Sequence, residues 1–421
     1  MAKDYDVLII GGGTAGIMTA AQLHRKDQQL RIGLIEPSAK HHYQPAYTLV
    51  AAGTFDMKDT VRNEGDYVPK GVDWIKEHAS SFEPEKDTVR TSEGQSYTYG
   101  HLVVCPGIKL DIDAMPGLRE ALASDFVCSN YIDPEKTLRV LKAFKGGNAV
   151  FTQPSTPIKC GGAPQKAAYM SDEFLRKSGA RDKTNLVFAT PGSVIFGVKE
   201  FAPALMDVIH KKGIILKTFY NPVRIDPVKK EAHFKWSKPG DNACVLTEDK
   251  GLKEKVEGEG TIVMPYDMLH LAPPQSAPDF IKQSPLAYQE GPSKGWLEVD
   301  INTLQHKRYA NIFGLGDAAA LPTAKTGAAI RKQVPVVVAN ILQRIKDGML
   351  STEQYSGYSS CPLVTGYGKM LLAEFKYDNV RDSDPLLRRL FDTTKPLWSM
   401  WILKKYGLPW LYWNKMLRGT M

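Results

Sequence analysis

The chain has 421 residues, which is long enough for two or three domains around a sizeable core. Its formal net charge of +8 indicates attraction to anions, such as acidic lipid headgroups or an anionic substrate. Nucleic acid is excluded as a partner, because there is no run of about five Lys or Arg and no zinc-finger or RNA-recognition signature. The 5 cysteines are widely spaced and form no CxxC pair, so a secreted disulfide framework and a metal site are also excluded.

The start of the sequence carries no targeting signal. Met1 leads into an apolar strand, without the basic, apolar and small-residue order of a signal peptide. No uncharged apolar run reaches the roughly 18 residues of a spanning helix. We therefore expect a chain that starts in the cytoplasm and does not cross a membrane.

The first predicted elements form a dinucleotide site. A buried parallel strand at Tyr5–Ile10 leads into the glycines of a GxGxxG turn, and a helix is predicted at 17–24. A second strand at 31–35 ends in Glu36, about 20 residues past the glycines, where a ribose diol would need an acidic group. A glycine-rich turn without a ligand is the alternative. The turn glycines are Gly11, Gly13 and Gly16.

A loop is predicted at 37–53, and it contains His41 and His42. Adjacent histidines lack the i, i+4 spacing of a metal site on a helix, and no acidic partner stands nearby in sequence. A solvated or hydrogen-bonded pair is therefore predicted. Further strands follow at 74–79 and Ser96–Val104, and a structural role is predicted for Cys105 after the second of them.

A second domain is predicted from about Lys109, with strands at 148–152, 185–190 and 214–219 and a helix at 200–211. Where a nicotinamide site would need a glycine turn, residues 153–157 include Pro154 and Pro157. Proline has no N–H to hold a phosphate. This domain keeps a dinucleotide-like layout without the means to bind a dinucleotide. His210, near the end of the helix, is interpreted as a surface cap.

Cys160 takes the place of that missing fingerprint. It lies between Lys159 and Lys166, and Gly161 and Gly162 follow it at once. Nearby positive charge lowers the pKa of a thiol, and glycines allow close approach of another group. A reactive cysteine and an inert buried one both stay open from these residues alone.

A second half of the cofactor site is predicted after a strand at 311–315. Gly316 and Asp317 close this strand, and an apolar helix begins at about Thr326. This arrangement resembles the second fingerprint of two-dinucleotide flavoproteins, in which the Asp binds the ribityl chain, so the cofactor is expected to be FAD. A helix N-cap is the alternative for Asp317. Lys325 lies either near the flavin or in solvent.

The carboxyl-terminal segment is rich in tryptophan and lysine. Two short helices, broken at Gly407 and Pro409, are predicted to lie in a bilayer interface. Core packing or a dimer interface is the alternative. The aromatic and apolar residues are Trp398, Trp401, Ile402, Leu403, Leu408, Trp410, Leu411 and Trp413, and the cations are Lys404, Lys405, Lys415 and Arg418.

Taken together, the sequence resembles the sulfide:quinone oxidoreductases, in the branch that includes the mitochondrial enzyme. The resemblance implies an α/β fold with two Rossmann-like domains and a membrane-binding segment. The implied divisions are an FAD-binding domain at 1–108 and 295–345, a second domain at 109–294, and a carboxyl-terminal segment at 346–421. The motifs that carry it are IIGGGTAG, HHYQPAYTLVAAG, PIKCGGAPQK, VIFGVKEFA, GLGDAAALPTAKT, SSCPLVTGY and LPWLYWNKMLRG.

The resemblance also implies the site. Cys160 and Cys361 correspond to the redox-active pair, and no metal is expected. Cys128 stands where other branches have a third active-site cysteine, and a role for it is left open. The residues expected at FAD are Gly11, Gly13, Thr14, Ala15, Gly16, Glu36, Gln44, Ala79, Gly107, Asp317, Lys325, Thr326, Gly327 and Ala328.

The implied reaction begins with sulfide opening a disulfide between Cys160 and Cys361. We expect the persulfide on Cys160 and the thiolate that passes electrons to FAD on Cys361. Lys166 is interpreted either as support for the anionic sulfur or as a surface salt bridge. The expected sulfur acceptor is sulfite, glutathione or sulfide.

Reduced FAD is expected to pass two electrons to a quinone, with aromatic residues of 358–367 and of the terminus lining the quinone site. The expected location is monotopic, at the cytoplasmic membrane, and a homo-oligomer is left open. Three alternatives are a type II NADH:quinone oxidoreductase, a flavocytochrome-type sulfide dehydrogenase and a non-enzymatic flavin redox sensor. The first would need a nicotinamide fingerprint in the second domain.

Overall fold

The computed structural model describes residues 3–237, 248–258 and 260–421. Its strands are, in chain order, β1 (Tyr5–Ile10), β2 (Ile32–Ile35), β3 (Lys40–His42), β4 (Val61–Asn63), β5 (Val72–Ile75), β6 (Ala79–Glu83), β7 (Thr88–Thr91), β8 (Ser96–Val104), β9 (Lys109–Leu110), β10 (Val127–Cys128), β11 (Gly147–Thr152), β12 (Thr184–Thr190), β13 (Ile215–Thr218), β14 (Tyr220–Asp226), β15 (Glu231–Trp236), β16 (Lys255–Glu257), β17 (Thr261–Pro265), β18 (Met268–Leu271), β19 (Gln275–Ser276), β20 (Ile312–Gly314), β21 (Ser359–Gly366) and β22 (Lys369–Phe375). Its α-helices are α1 (Thr14–Lys26), α2 (Tyr47–Ala51), α3 (Leu118–Ala123), α4 (Pro134–Ala143), α5 (Ala163–Ser178), α6 (Ala202–Lys212), α7 (Asp279–Lys282), α8 (Gly327–Asp347), α9 (Pro385–Leu390), α10 (Trp398–Ile402) and α11 (Leu408–Leu411).

The first sheet has the strand order β5-β2-β1-β8-β7-β6, and β20 also pairs with β8. The pairs β1/β2, β1/β8, β2/β5 and β8/β20 are parallel, and β7 pairs antiparallel with β8. The predicted strand Tyr5–Ile10 is confirmed as β1, and Val7, Leu8 and Ile9 are 0% exposed. Burial on both faces of a parallel sheet explains the continuous apolar run.

The second sheet is entirely parallel, in the order β10-β18-β11-β12-β13. Its strands β11, β12 and β13 confirm the three predicted strands of this region, and helix α6 confirms the predicted helix. Each element ends within two residues of its predicted bounds. An antiparallel sheet, β14-β15-β17-β16, extends this half of the molecule and was not predicted.

Two further contacts position the site. Helices α1 and α8 pack against each other, so the two glycine-rich turns that precede them lie on one side of the first sheet. The hairpin β21–β22 packs on α5, which brings Cys361 to the start of the helix that follows Cys160.

The prediction of a loop at 37–53 is wrong in part. It contains β3, which pairs antiparallel with β4, and the short helix α2. The predicted break at Gly407 and Pro409 is also wrong. Residues 398–416, called here the C-terminal helix, form one helical run in which α10 and α11 alternate with the π-helical segments Leu403–Gly407 and Tyr412–Met416.

Two general findings concern the described part of the chain. None of its helices combines the length and the apolar character needed to cross a bilayer. Within the same residues, no group of His, Cys, Asp and Glu side chains has the arrangement of a metal site.

Candidate functional site

The glycine turn after β1 is shaped for close approach. Gly11 has φ +97°, and a Cβ on Gly16 would lie 1.8 Å from the carbonyl oxygen of Gly11. Gly13 precedes α1 with nothing within 4 Å of the place where a Cβ would stand, and no side chain caps this helix. The first amides of α1 are therefore free to bind a pyrophosphate. Ala15 is buried in this first turn.

Glu36 lies at the end of β2 beside this turn. Its Oε2 accepts a hydrogen bond from the amide of Gly12 at 2.7 Å, and its Oε1 accepts one from the amide of Ser38 at 2.7 Å. The carboxylate is thus held next to the turn, as a ribose-binding group requires. Gln44 is exposed after β3, and Ala79 begins β6. The FAD contacts of both residues stay predictions.

The second half of the predicted cofactor site is built around Asp317. Lys325 Nζ donates to the carbonyl oxygens of Asp317 at 2.6 Å and of Ala319 at 3.0 Å, so this ammonium group is not simply solvated. Burial lowers the pKa of Lys325 to about 8 and raises the pKa of Asp317.

The helix after this segment settles one alternative. The hydroxyl of Thr326 caps α8 by accepting from the amide of Ala329 at 3.1 Å. Asp317 lies in the one-turn helix Gly316–Ala318, well before α8, so its interpretation as a helix N-cap is wrong. Gly107 and Gly327 both have open space where a Cβ would stand, as close contact with a cofactor requires. Ala328 is half-buried on the first turn of α8.

Cys160 is tied directly to this half of the site. Its amide donates to the carbonyl oxygen of Lys325 at 2.8 Å. Its backbone has φ 54°, a left-handed conformation that non-glycine residues adopt at a cost of about 1–3 kcal/mol. The thiol is half-buried, at the start of α5. The fold therefore holds this sulfur in a strained position beside the predicted flavin residues.

Cys361 approaches the same point from β21. It is 1% exposed, and its thiol donates a hydrogen bond to the sulfur of Cys160. A Cβ on Gly162 would lie 2.4 Å from Leu363 Cδ2, so the glycine is what allows α5 to start this close to β21. The structure brings the two predicted redox cysteines together.

Lys166 supplies the charge at this pair. Its Nζ lies 3.1 Å from Cys160 Sγ, and the residue is 3% exposed, so the interpretation as a surface salt bridge is wrong. The hydrogen bond from Cys361 and the charge of Lys166 hold the pKa of Cys160 well below its usual range. The pKa of Cys361 is raised well above its usual range, first by this bond to Cys160 and then by burial. In the reduced pair, these shifts favour the thiolate on Cys160, whereas the reaction expected from the sequence places it on Cys361.

Lys404 is a site residue that the sequence analysis missed. The amphipathic pattern assigned it to a polar outer face, but it is 3% exposed and its Nζ donates to the carbonyl oxygen of Pro45 at 2.8 Å. Burial and the charge of Lys166 lower the pKa of Lys404 to about 7, and the two cysteines oppose this shift. No local signal distinguishes Lys404 from Lys405, its neighbour in sequence.

Tyr131 was missed as well. Its hydroxyl donates to the carbonyl oxygen of Cys160 at 3.4 Å. Burial raises its pKa, and so do the two cysteines, which places the phenol beside the sulfur pair in its neutral form.

The other cysteines have a different environment. Cys105 Sγ lies 3.7 Å from the carbonyl oxygen of Gly11, and burial raises its pKa. Cys128 Sγ contacts the carbonyl oxygen of Leu269 at 3.6 Å, and burial raises its pKa to about 12. Both thiols are protonated at neutral pH, as structural cysteines are. Cys244 lies outside the described residues.

The adjacent histidines are hydrogen-bonded. His41 Nδ1 lies 2.9 Å from Glu64 Oε2, and His41 Nε2 lies 2.6 Å from the hydroxyl of Tyr412. The acidic partner that is missing nearby in sequence is therefore present in space. His42 is exposed and contacts the hydroxyl of Tyr47 at 3.0 Å.

The C-terminal helix divides its tryptophans between two faces. Trp401 and Trp413 are each 7% exposed, whereas Trp398 is 68% and Trp410 is 55% exposed. The alternative of core packing is thus correct for the first pair, and a membrane contact is available only to the second.

Comparison with known proteins decides the family. A family model described as pyridine nucleotide-disulphide oxidoreductase matches residues 5–143. The mitochondrial sulfide:quinone oxidoreductase of Mus musculus is 40% identical over 99% of this chain and 87% of its own length. That of Dictyostelium discoideum is 41% identical over 98% of this chain and 86% of its own length. The chain belongs to the sulfide:quinone oxidoreductase family.

A solved structure agrees with this assignment at the level of the fold. The sulfide:quinone oxidoreductase of Aquifex aeolicus has a TM-score of 0.73 and 22% identity, covering 97% of this chain and 91% of that one. Membership of the sulfide:quinone oxidoreductase family confirms the α/β flavoprotein fold and the cofactor FAD. It favours the family activity over the NADH:quinone, flavocytochrome and sensor alternatives.

Proposed function

We propose that this protein oxidises sulfide through Cys160 and Cys361 and passes the two electrons by way of FAD to a membrane quinone. The observation that carries the proposal is the meeting of the two thiols at the start of α5, with Lys166 Nζ 3.1 Å from Cys160 Sγ. The family members compared above are named for the same two substrates.

The residues present fit FAD. The uncapped start of α1 suits the pyrophosphate, the carboxylate of Glu36 suits the ribose, and the carboxyl group of Asp317 would hold the ribityl chain. When bound, FAD accepts two electrons from the sulfur pair and passes them to the quinone. Lys325 would stand beside it, because its carbonyl oxygen accepts from the amide of Cys160.

The sulfur chemistry follows from the charges around the pair. Hydrosulfide attacks Cys361 Sγ of the Cys160–Cys361 disulfide, and a new S–S bond forms there. The old S–S bond breaks with its electron pair on Cys160 Sγ, where Lys166 stabilises the thiolate. We therefore assign the persulfide to Cys361, in place of the assignment to Cys160 expected from the resemblance.

Release of the sulfur completes the cycle. A nucleophilic acceptor, such as sulfite, glutathione or a second sulfide, takes the outer sulfur of the persulfide and leaves Cys361 as a thiol. Re-forming the disulfide removes two electrons from the pair, together with the one proton of the Cys361 thiol. Lys404, buried beside the cysteines, attracts anionic sulfide and anionic acceptors to this point.

The membrane contact and the domain divisions belong to the same proposal. The outer face of the C-terminal helix carries exposed aromatic residues beside Lys405 and Lys415, which suits a monotopic contact with lipid headgroups. Tyr358 and Tyr367 are proposed to border the quinone site. We propose the same division of the chain as before, at 1–108 with 295–345, 109–294 and 346–421. The relatives named above are mitochondrial, and a site at the cytoplasmic membrane stays a prediction.

Anaerobic stopped-flow absorbance tests the proposal. Sulfide should bleach the flavin of the purified protein, and decylubiquinone should restore it. Cys160→Ser and Cys361→Ser should each abolish the bleaching, whereas Cys128→Ser should leave it intact. If NADH reduces the flavin and sulfide does not, the NADH:quinone alternative replaces this proposal.

A further inference from the structure

The C-terminal helix reaches the nucleotide turn as well as the sulfur site. Four of its buried residues are spaced four or eight positions apart, namely Met400, Lys404, Tyr412 and Met416, and the buried Trp401 and Trp413 lie beside this row. On a regular α-helix, Met400 and Met416 would be rotated by about 160° from each other. The π-helical segments Leu403–Gly407 and Tyr412–Met416 add residues to the turns and keep this row on one face. One helix therefore contacts two distant sites.

Tyr412 makes the contact at the nucleotide turn. It is 4% exposed, and its hydroxyl lies 2.7 Å from Thr14 Oγ1 and 2.6 Å from His41 Nε2. Thr14 is the first residue of α1, where the pyrophosphate of a dinucleotide is expected. Trp413 packs beside it against Tyr67, which holds this end of the helix on the segment between β4 and β5.

A row of hydrogen bonds links the nucleotide turn to a buried carboxylate. His41 Nδ1 lies 2.9 Å from Glu64 Oε2, and the hydroxyl of Tyr412 is within hydrogen-bond distance of both His41 Nε2 and Thr14 Oγ1. The chain Thr14, Tyr412, His41, Glu64 is thus a single connected network from the start of α1 to β4 and its following turn.

The other end of the network also points to a ligand. Glu64 is 1% exposed, and its Oε1 has no hydrogen-bond partner among the described residues. This oxygen lies 2.7 Å from where a Cβ on Gly12 would stand, and Gly12 donates to Glu36. An unpaired carboxylate oxygen at this depth is costly unless a donor reaches it. A ribose hydroxyl held by Glu36 is such a donor.

We propose that Tyr412 clamps the C-terminal helix onto the nucleotide turn, so that FAD binding and docking of this helix stabilise each other. The network brackets the adenosine and pyrophosphate half of the cofactor between Glu64 and Thr14. Any free energy that the docked helix adds to FAD binding must appear equally as stabilisation of the docked helix by FAD.

The test uses FAD binding to the apoprotein, which needs neither sulfide nor quinone and is therefore independent of the proposed activity. Tyr412→Phe removes the hydroxyl that Thr14 Oγ1 and His41 Nε2 share, and we expect FAD affinity to fall about 10-fold by flavin fluorescence titration. Tyr406→Phe is the matched control, because Tyr406 lies on the same helix and is 59% exposed. Its affinity should equal that of the wild type.

The reciprocal effect is read by limited trypsin cleavage after Lys415 and Arg418. FAD should protect these sites in the wild type and in Tyr406→Phe, and protect them about 10-fold less in Tyr412→Phe. Thr14→Val should reproduce the loss and Thr14→Ser should not, which keeps the test valid if Tyr412→Phe misfolds. Unchanged FAD affinity, or equal protection in all variants, would overturn the proposal. So would an equal loss of melting temperature in apoprotein and holoprotein.

Discussion

At the scale of single residues, the chemistry of the site depends on two buried lysines that face the same sulfur pair. Lys166 lies on α5, and Lys404 lies on the C-terminal helix, so the two charges come from segments far apart in the chain. A buried ammonium group is costly to desolvate, and a thiolate beside it offsets this cost. The lysines and the thiolate of Cys160 therefore depend on one another.

Replacing Lys166 tests this dependence. Lys166→Met should raise the pKa of Cys160, because the thiolate loses its nearest cation. As pH falls, the Cys160 thiolate of the variant is protonated at a higher pH than the thiolate of the wild type. The rate of alkylation should therefore drop at a higher pH in the variant. The measurement is the rate of iodoacetamide labelling of the Cys160 peptide against pH, on the fully reduced protein. Lys177→Met, exposed on the same helix, should leave this profile unchanged.

Lys404 should act on anions in a pH-dependent way. Its pKa of about 7 means that it is charged below neutral pH and loses its charge as pH rises through about 7. The rate of Cys160 labelling by anionic iodoacetate, divided by that by neutral iodoacetamide, should therefore fall across this range. The ratio cancels the ionisation of the thiol itself. In Lys404→Met the ratio should be low and flat, and Lys405→Met should retain the wild-type slope; a slope that survives in Lys404→Met would contradict the prediction.

At the scale of elements, the site depends on how closely α5 meets β21. Gly162 provides this approach, and Leu363, against which a Cβ would clash, is 0% exposed and cannot turn away freely. The sequence motif PIKCGGAPQK contains two adjacent glycines, and only the second stands at the contact. Gly162 is therefore required for the contact and Gly161 is not, although the motif alone does not distinguish the two glycines.

Gly162→Ala should lower the free energy of unfolding by about 1–3 kcal/mol, because the new methyl group overpacks this contact. Gly161→Ala is the control, since nothing lies within 4 Å of a Cβ there. Urea unfolding of both variants measures the difference. Leu363→Val in the Gly162→Ala background should restore part of the loss, and equal stability of the two alanine variants would show that the contact relaxes at no cost.

Exposed and buried tryptophans of the C-terminal helix should have different effects when they are replaced. Trp398→Ala with Trp410→Ala should weaken vesicle binding at least about 10-fold without changing the melting temperature, because both side chains are exposed. Trp401→Ala should instead destabilise the fold by about 3–5 kcal/mol, because it removes a buried side chain. Vesicle co-sedimentation and thermal unfolding measure the two quantities. If the double variant binds vesicles like the wild type, the membrane lies against another surface.

At the scale of the whole molecule, the two sheets meet at the sulfur site. The loop that carries Cys160 follows the second sheet, and its backbone bonds to Lys325, which belongs to the segment that returns beside the first sheet. In the second domain, the amide of Gln153 is taken up by the carbonyl oxygen of Ala189 rather than left free for a phosphate. The loop after β11 thus holds Cys160 against Lys325, at a position where a nicotinamide-binding unit would have free amides.

Several features could be predicted from the sequence because their causes are local. The strand β1, the GxGxxG turn and the carboxylate of Glu36 follow from backbone sterics and from periodicity within about 30 residues. The proposed redox role of Cys160 and Cys361 could be reached only through resemblance, since no local pattern joins a residue just before α5 to one on β21. A solvated or hydrogen-bonded histidine pair was predicted, but the sequence could not choose between the two or name Glu64 and Tyr412 as the partners of His41.

The sequence by itself determined the fold class, the nucleotide turn and the family of this protein. The tertiary structure alone decided which cysteine has Lys166 beside it, which tryptophans face outward, and which elements Lys404 and Tyr412 contact. The physical reason lies in the C-terminal helix. Its amphipathic pattern is read at a period of 3.6, whereas packing against the first sheet and the hairpin β21–β22 selects π-helical turns and a period near 4. This packing determines which side chains of the helix are buried. It involves residues far away in the sequence, so a local pattern does not predict it.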